Sequence, residues 1–144
     1  MNIDHLSLTV EQLLEAAKKA RTSAYVPYSS FAVGAVALDS EGHLHHGCNV
    51  ENAAYGPTNC AERTALFRAV ADGKRPGAFQ VVAVIGDTPE PITPCGVCRQ
   101  VLAELCAPEM PVVLGNMKGT YRITTVEELL PGAFTSRDLH SAQS

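Results

Sequence analysis

Three cysteines and one glutamate are spaced as they would be at a catalytic metal site. Glu62 follows Cys60 by two residues, and Cys95 and Cys98 form a Cys-x-x-Cys pair after Pro94. Three thiolates leave one tetrahedral position of zinc open, which is typical of a catalytic rather than a closed structural site. Water in that position becomes acidic, and a nearby carboxylate can carry its proton. The pattern therefore predicts hydrolytic zinc chemistry with Glu62 as the proton carrier.

Both cysteine motifs are predicted to lie where a strand or loop passes into a helix. Apolar residues recur at helical spacing between Cys60 and Ala71, and again after Pro94, which suits a first helical turn. In open α/β sheets such junctions lie side by side at the carboxyl ends of strands. Helix N-termini also lower thiol pKa values and favour thiolates. We therefore expect the two motifs to converge on one metal ion.

The other elements predict the fold that brings the motifs together. A capping box at Thr9 and Gln12 begins a helix that ends near Arg21, and a second box at Thr125 and Glu128 begins a brief helix that Pro131 ends. Apolar, β-branched or alternating runs predict five strands, at 31–38, 43–50, 81–85, 112–114 and 121–124. The order αββαβαββα predicts a three-layer α/β/α fold with a mixed five-stranded sheet. We expect a single domain over residues 1–144, with a flexible polar tail at 135–144.

Composition excludes several classes of partner. The net charge is -4 and there is no run of lysine or arginine, so the sequence does not predict nucleic-acid binding. No apolar run could span a membrane and no export signal is evident, so we expect a cytoplasmic protein. Five cysteines, an odd number, then favour metal-binding thiols over disulfides. Only 18% of residues are charged, against about 25% typically, which suggests that other subunits cover part of the surface.

Several motifs in a fixed order resemble the small, homotetrameric, zinc-dependent cytidine deaminases of the cytidine and deoxycytidylate deaminase superfamily. The matching segments are YVPYSSF (25–31), CNVENAAY (48–55), CAERTA (60–65), PCGVCRQ (94–100) and LLPGAF (129–134). The resemblance implies hydrolytic deamination of cytidine and 2′-deoxycytidine to uridine and 2′-deoxyuridine, with release of ammonia, as in pyrimidine salvage. It also implies one Zn²⁺ per chain on Cys60, Cys95 and Cys98, whose bound hydroxide attacks C4 while Glu62 transfers protons.

The same resemblance implies the residues that bind substrate. Asn49 and Glu51 match positions that hydrogen-bond the ribose, whereas Phe31 and Ala61 match positions near the base. Three further positions match residues lent to a neighbouring subunit's site: Ala53, Tyr55 and Phe134. If this holds, the partners of the chain are a nucleoside substrate and other copies in a homotetramer.

The charge of the metal site predicts a role for arginine. Three thiolates and one Zn²⁺ carry a net charge of -1, which makes bound water less acidic than at sites with neutral ligands. Arg63 and Arg99 each follow a catalytic or ligand residue. We hypothesise that Arg63, joined by Arg99 and the helix dipoles, offsets this charge.

Other interpretations explain less of the pattern. A redox dithiol leaves the third thiol and Glu62 unexplained, and a non-catalytic zinc protein leaves Glu62 without a role. Within the family, a blasticidin S deaminase or another enzyme for modified cytosine nucleosides is the main alternative, although Asn49, Glu51 and Phe134 favour plain cytidine. We interpret Cys48 and Cys106 as core residues, and the His43 and His45 side chains of the second strand as solvated.

Overall fold

The computed structural model describes residues 3–143, which form five helices and five strands. The predicted order αββαβαββα is confirmed, with small shifts at the ends of the elements. One further helix follows it. In chain order the elements are α1 (Val10–Arg21), β1 (Val33–Asp39), β2 (Leu44–Cys48), α2 (Ala61–Ala71), β3 (Phe79–Gly86), α3 (Gly96–Leu105), β4 (Pro111–Asn116), β5 (Tyr121–Thr125), α4 (Val126–Leu129) and α5 (Ser136–Gln143).

The strands form the predicted mixed sheet, in the order β2-β1-β3-β4-β5. Only β3 and β4 pair in parallel, with Val84 opposite Leu114, and the other neighbours are antiparallel. The parallel pair requires a crossover, which α3 supplies. This crossover brings the start of α3 to the carboxyl end of β3, which is where the Cys-x-x-Cys motif was expected.

The helices cover both faces of the sheet, so the predicted three-layer architecture is confirmed. On one face, α1 packs Leu13 and Ala17 against Val36 and Leu38 of β1. On the opposite face, α2, α3 and α4 bury a larger apolar cluster, with Leu66 and Leu102 among its fully buried residues. Both cysteine motifs belong to helices on this second face.

Two glycines allow the helices to approach the sheet at backbone distance. A Cβ atom on Gly47 of β2 would lie 2.4 Å from the carbonyl oxygen of Ala61, in the first turn of α2. A Cβ atom on Gly34 of β1 would lie 2.0 Å from the carbonyl oxygen of Ala17 in α1. Such distances exclude any side chain, so Gly47 fixes how closely the start of α2 sits on the sheet.

The helix ends follow the capping signals, including one that the sequence analysis did not use. The side chain of Thr9 accepts a hydrogen bond from the backbone N–H of Gln12, and the side chain of Gln12 accepts one from the backbone N–H of Thr9. This is the predicted capping box. The unpredicted helix α5 follows Thr135, whose N–H and hydroxyl both donate to Asp138. Thr-x-x-Asp is itself a capping signal. The expected domain and tail also include residues 1, 2 and 144, which lie outside the described residues.

Within residues 3–143, no helix combines the length and apolar character needed to cross a membrane.

The expectation that His43 and His45 are both solvated is wrong for His45. Its side chain is buried, and its Nε2 lies 2.8 Å from Oδ2 of Asp39, a carboxylate with no exposed surface. Asp39 also accepts the backbone N–H groups of Glu41 and His43, and Lys74 Nζ lies 3.3 Å from its Oδ2. Burial would raise the pKa of Asp39, but these bonds hold it well below its ordinary value of 3.8. Asp39 is therefore an ionised group that fastens the β1–β2 turn.

Replacing Asp39 by Asn should lower the free energy of unfolding at pH 7 by about 2 kcal/mol, because the buried donors around it lose a charged acceptor. A carboxyl whose pKa is lowered by folding stabilises the fold fully at pH values above its pKa in the unfolded chain. That contribution is lost as the pH falls toward its pKa in the folded protein. The difference in free energy of unfolding between the unmodified protein and Asp39→Asn should therefore become smaller below about pH 4. Urea unfolding at pH 7 and at pH 3.5 measures this, with Asp87→Asn, at an exposed position, as the control. Equal stabilities at pH 7 would contradict the assignment.

Candidate active site

Cysteines occupy the N-cap positions of both helices that carry the motifs. Cys60 caps α2 and Cys95 caps α3, both with extended backbone and neither with a side-chain capping hydrogen bond. Ser, Thr, Asp and Asn are the usual residues at this position because their oxygens accept the free N–H groups. Here the two thiols are left available for another partner.

The predicted convergence of the three thiols is observed. The sulfur atoms of Cys60, Cys95 and Cys98 all lie within 4.8 Å of one another, and those of Cys60 and Cys95 are 3.6 Å apart. Cys98 is buried in the first turn of α3, whereas Cys95 is exposed. In the described part of the chain, no fourth Cys, His, Asp or Glu joins this group. A metal held here would keep one position open.

The donor set fits zinc. Hydrogen bonding from Cys98, opposed by burial and aided by Arg63, lowers the pKa of Cys60 to about 5, so one thiolate forms readily at neutral pH. Thiolates select zinc over harder cations such as Mg²⁺ and Ca²⁺. The two helix N-termini add positive partial charge at the same place. We conclude that the cluster is chemically suited to Zn²⁺ with three sulfur ligands.

Glu62 lies in the first turn of α2, directly after the cysteine-capped start. Its side chain is 4% exposed, and burial raises the pKa of its carboxyl to about 7. A carboxyl with a pKa near the working pH can both give and accept a proton, which is what general acid–base catalysis requires. The sequence predicted this residue and its position. Its buried environment was not visible in the sequence.

The two arginines of the charge hypothesis have different contacts. Arg63 Nη2 donates to the sulfur of Cys60 at 3.2 Å, and its Nε is buried without a partner among the described residues. That orphaned donor faces no protein acceptor, as expected beside a site that holds a further group. Arg99 instead donates to the carbonyl oxygens of Pro94, at 2.9 Å, and Leu129, at 2.8 Å. The geometry thus favours Arg63 for charge compensation and gives Arg99 a structural role.

The two residues predicted to contact the sugar lie on the segment after β2. The side chain of Asn49 accepts the N–H of Val33 at 2.9 Å and donates to the carbonyl oxygen of Phe31 at 2.8 Å. An amide has two donors and two lone pairs, so one of each remains for another partner. Glu51 accepts the backbone N–H groups of Tyr28 and Ser29, at 3.0 and 3.1 Å.

The two predicted base contacts, Phe31 and Ala61, differ in exposure. Phe31 is 40% exposed, and its ring lies close to Gly86 at the carboxyl end of β3, where a Cβ atom would meet it at 3.4 Å. Ala61 is fully buried between Cys60 and Glu62. Phe31 is thus brought to the same end of the sheet from which α3 begins.

The three residues predicted to serve a neighbouring subunit point away from this chain's own core. Ala53 and Tyr55 lie in the loop after Glu51, and the side chain of Tyr55 is 83% exposed. Phe134 is 61% exposed, while its carbonyl oxygen accepts the side chain of Gln100 in α3 at 2.8 Å. Both rings are therefore accessible to another copy of the chain.

Comparison with known protein families identifies the family of this chain. Residues 8–114 match the model of the cytidine and deoxycytidylate deaminase zinc-binding region. The chain belongs to this deaminase family. The match spans α1 to β4 and includes all three clustered cysteines and Glu62.

Individual deaminases are similar over most of their length. A cytidine deaminase of Sporosarcina psychrophila is 56% identical over 135 residues, which cover 94% of this chain and 98% of that protein. The crystal structure of cytidine deaminase from Burkholderia pseudomallei superposes with a TM-score of 0.87 at 57% identity, covering 88% of this chain and all of the other. A cytidine deaminase structure from Mycobacterium tuberculosis gives a TM-score of 0.74 at 38% identity, covering 88% of this chain and 98% of that one.

The sequence analysis of this deaminase missed the contacts of Ser29. The residue entered that analysis only within the matching segment YVPYSSF (25–31), yet the structure places its hydroxyl against Glu51 and the backbone N–H of Phe31. A serine hydroxyl that accepts the N–H two residues later forms a common local turn. The serine two positions before Phe31 was the available signal.

Replacing Arg63 by Gln is expected to lower zinc affinity or kcat by about 10- to 100-fold, the range typical for groups that support metal ligands. The physical reason is the loss of the positive charge beside the Cys60 sulfur. Zinc affinity is measured by competition with a chelating dye, and kcat on the zinc-loaded protein. Arg68→Gln is the control, since Arg68 lies on the same helix but donates to the carbonyl oxygen of His46. Unchanged zinc affinity and kcat in Arg63→Gln would eliminate the hypothesis.

Proposed function

We propose that this chain is a zinc-dependent enzyme that hydrolyses cytidine and 2′-deoxycytidine to uridine and 2′-deoxyuridine, releasing ammonia. The observation that carries the proposal is the placement of a buried carboxyl, Glu62, in the helical turn that follows one of three clustered thiols. Three sulfur ligands alone would leave an open metal position without a group to move protons. A neighbouring carboxyl with a pKa of about 7 adds the proton carrier that hydrolysis needs.

We assign Cys60, Cys95 and Cys98 as the residues that hold one zinc ion per chain. When bound, zinc supplies a water molecule acidified enough to act as a nucleophile at neutral pH. The protein holds the first turns of α2 and α3 in place. Gly47 allows α2 to pack closely on the sheet, and Arg99 donates a hydrogen bond to the Pro94 carbonyl before α3. Arg63 supplies positive charge at the Cys60 sulfur.

Glu62 moves the protons of the reaction. It accepts the proton that the attacking water loses and delivers it to N3 of the cytosine ring. It then helps to protonate the exocyclic nitrogen at C4, which departs as ammonia, so that cytidine and water give uridine and ammonia. Its burial excludes bulk water from this transfer and keeps its pKa near neutrality.

The remaining residues bind and orient the nucleoside. We assign Asn49 and Glu51 to the sugar hydroxyls, because both retain hydrogen-bonding capacity beyond their contacts in the chain. Phe31 and the first residue of α2, Ala61, contact the base. This assignment gives a use to the hydrogen-bonding capacity that Asn49 and Glu51 retain and to the partly exposed ring of Phe31.

We further propose that the active enzyme is a cytoplasmic homotetramer in which neighbours complete each site. Exposed rings support an assembly: Tyr25, Tyr28, Tyr55 and Phe134 are each more than half exposed. All five cysteines are free in the structure, which suits a reducing compartment. Ala53, Tyr55 and Phe134 are the residues that one copy would lend to another. Light scattering coupled to size exclusion tests the assembly, and a monomeric active enzyme would overturn it.

An assay on purified protein tests the function directly. Cytidine, 2′-deoxycytidine and blasticidin S are incubated separately with zinc-loaded protein, and uridine-type products and ammonia are quantified. Equal amounts of deaminated nucleoside and ammonia from the first two substrates are expected. Turnover of blasticidin S alone would move the assignment to modified nucleosides, and no turnover of any substrate would leave a zinc protein without this activity.

A further inference from the structure

The hydroxyl of Ser29 joins two of the residues that we propose hold the nucleoside. It donates to Glu51 Oε2 and accepts the backbone N–H of Phe31 at 3.0 Å. The other carboxylate oxygen, Glu51 Oε1, accepts the backbone N–H groups of Tyr28 and Ser29. Both oxygens of one carboxylate are thus held by a single turn.

Three donors determine the orientation of the Glu51 side chain. An ionised carboxylate offers about four lone-pair positions, so three bonds to the turn leave about one for a further donor. A sugar hydroxyl is such a donor. Glu51 is otherwise half-buried on an irregular segment, where a free side chain would adopt several rotamers. Its direction toward a substrate therefore depends on the turn, and within the turn the serine hydroxyl is the only side-chain donor of the three.

The turn itself has an unusual conformation that the same contacts maintain. Ser30, between Ser29 and Phe31, has φ of +59°, and no other described residue except glycine has a positive φ. Its backbone N–H donates to the carbonyl oxygen of Val26 at 3.0 Å. Non-glycine residues persist in this region when surrounding contacts hold them there. The bond from Phe31 N–H to Ser29 is one such contact, and it sets where Phe31 leaves the turn.

We propose that Ser29 is a positioning residue that aims the Glu51 carboxylate at the nucleoside's sugar and, through the Phe31 backbone, places the ring that contacts the base. This inference rests on the proposed function, since it assigns Ser29 a task in binding the same substrate. The side-chain hydrogen bond of Ser29 is also the largest cause of the lowered pKa of Glu51. A lowered pKa keeps the carboxylate ionised, in the form that accepts a sugar hydroxyl.

Replacing Ser29 by Ala is expected to raise KM for cytidine about tenfold, the size of one hydrogen bond to a charged group, while kcat changes by less than about twofold. Ser29→Thr retains a hydroxyl and should recover most of the loss. Ser30→Ala is the control, because its hydroxyl makes no hydrogen bond to Glu51 or Phe31 in the described structure. Steady-state kinetics with all four proteins measures the split between KM and kcat, and melting temperatures report folding.

A substrate that lacks the 2′- and 3′-hydroxyls of the sugar separates positioning from general damage. With 2′,3′-dideoxycytidine, the increase in KM caused by Ser29→Ala should fall to less than about threefold, because a contact from Glu51 to the 2′- or 3′-hydroxyl is already absent. In a Glu51→Gln background, Ser29→Ala should add little further effect. This comparison holds even if Ser29→Ala loses some stability.

The outcomes distinguish this inference from the function on which it rests. If the unmodified protein deaminates no nucleoside, the proposed function fails. If it is active but Ser29→Ala leaves KM unchanged, the positioning role is overturned and the function stands. If Ser29→Ala raises KM equally for cytidine and 2′,3′-dideoxycytidine, the aiming of Glu51 by Ser29 is overturned and the function stands. Additive effects of Ser29→Ala and Glu51→Gln would overturn it as well.

Discussion

Replacing Glu62 by Gln is expected to lower kcat for cytidine by roughly 10²–10⁴-fold, the contribution usual for a positioned acid–base group. Glutamine has nearly the same shape but cannot take up or release the proton that must pass from water to the base. Because Glu62 is not among the clustered sulfur ligands, zinc content should remain one ion per chain. The combination of full zinc and almost no turnover is the signature of a lost proton carrier.

The measurement follows the loss of ultraviolet absorbance of cytidine, with zinc determined on the same samples. Glu127→Gln is a suitable control, since that side chain is exposed on α4 and does not belong to the cluster. Glu62→Gln should melt at a temperature no lower than the unmodified protein, because an uncharged side chain suits its buried position. Turnover within threefold of normal would remove Glu62 from the mechanism.

Replacing Cys98 by Ala is expected to abolish stoichiometric zinc binding and to lower turnover by at least about 10³-fold, since the metal contributes several kcal/mol to hydrolysis. Cys98 is the buried member of the three, so its loss removes a ligand that solvent cannot replace in the same geometry. Chelation of the unmodified protein should have the same effect on turnover. Added zinc should then restore activity to the chelated unmodified protein but not to Cys98→Ala.

Cys106→Ala is the matched control for this experiment. Cys106 is also buried, ends the same helix, and has its pKa raised to about 12 by burial, but it lies outside the sulfur cluster. It tests the effect of removing a buried thiol from α3 without removing a ligand. Normal zinc content in Cys98→Ala, or zinc loss in Cys106→Ala, would show that the ligand set is wrong.

The parts of the site that the sequence predicted well are those with local signals. A cysteine at a helix start, a glutamate two residues later and a Cys-x-x-Cys pair are each defined within a few residues. That Cys60 and Cys95 come close together followed from the general rule that strand-to-helix junctions lie side by side at the carboxyl ends of strands. Their convergence could therefore be predicted without any distance.

The parts that escaped prediction depend on contacts between distant segments. The interaction of Asp39 with Lys74 crosses 35 positions of sequence, and nothing around His45 signals that its ring is buried. Likewise, the bond from Ser29 to Glu51 joins a turn to a segment 22 residues later. Helix α5 is a different case, since its Thr135 and Asp138 signal was present but the polar composition outweighed it.

The two faces of the sheet differ in what a substitution on each can affect. The assigned zinc ligands and Glu62 belong to helices on one face, while α1 covers the other with side chains such as Leu13 and Ala17. A variant that repacks the α1 face changes stability without touching a group that meets zinc or base. Substitutions between α1 and the sheet can therefore raise the thermostability of the enzyme while its substrate preference is retained.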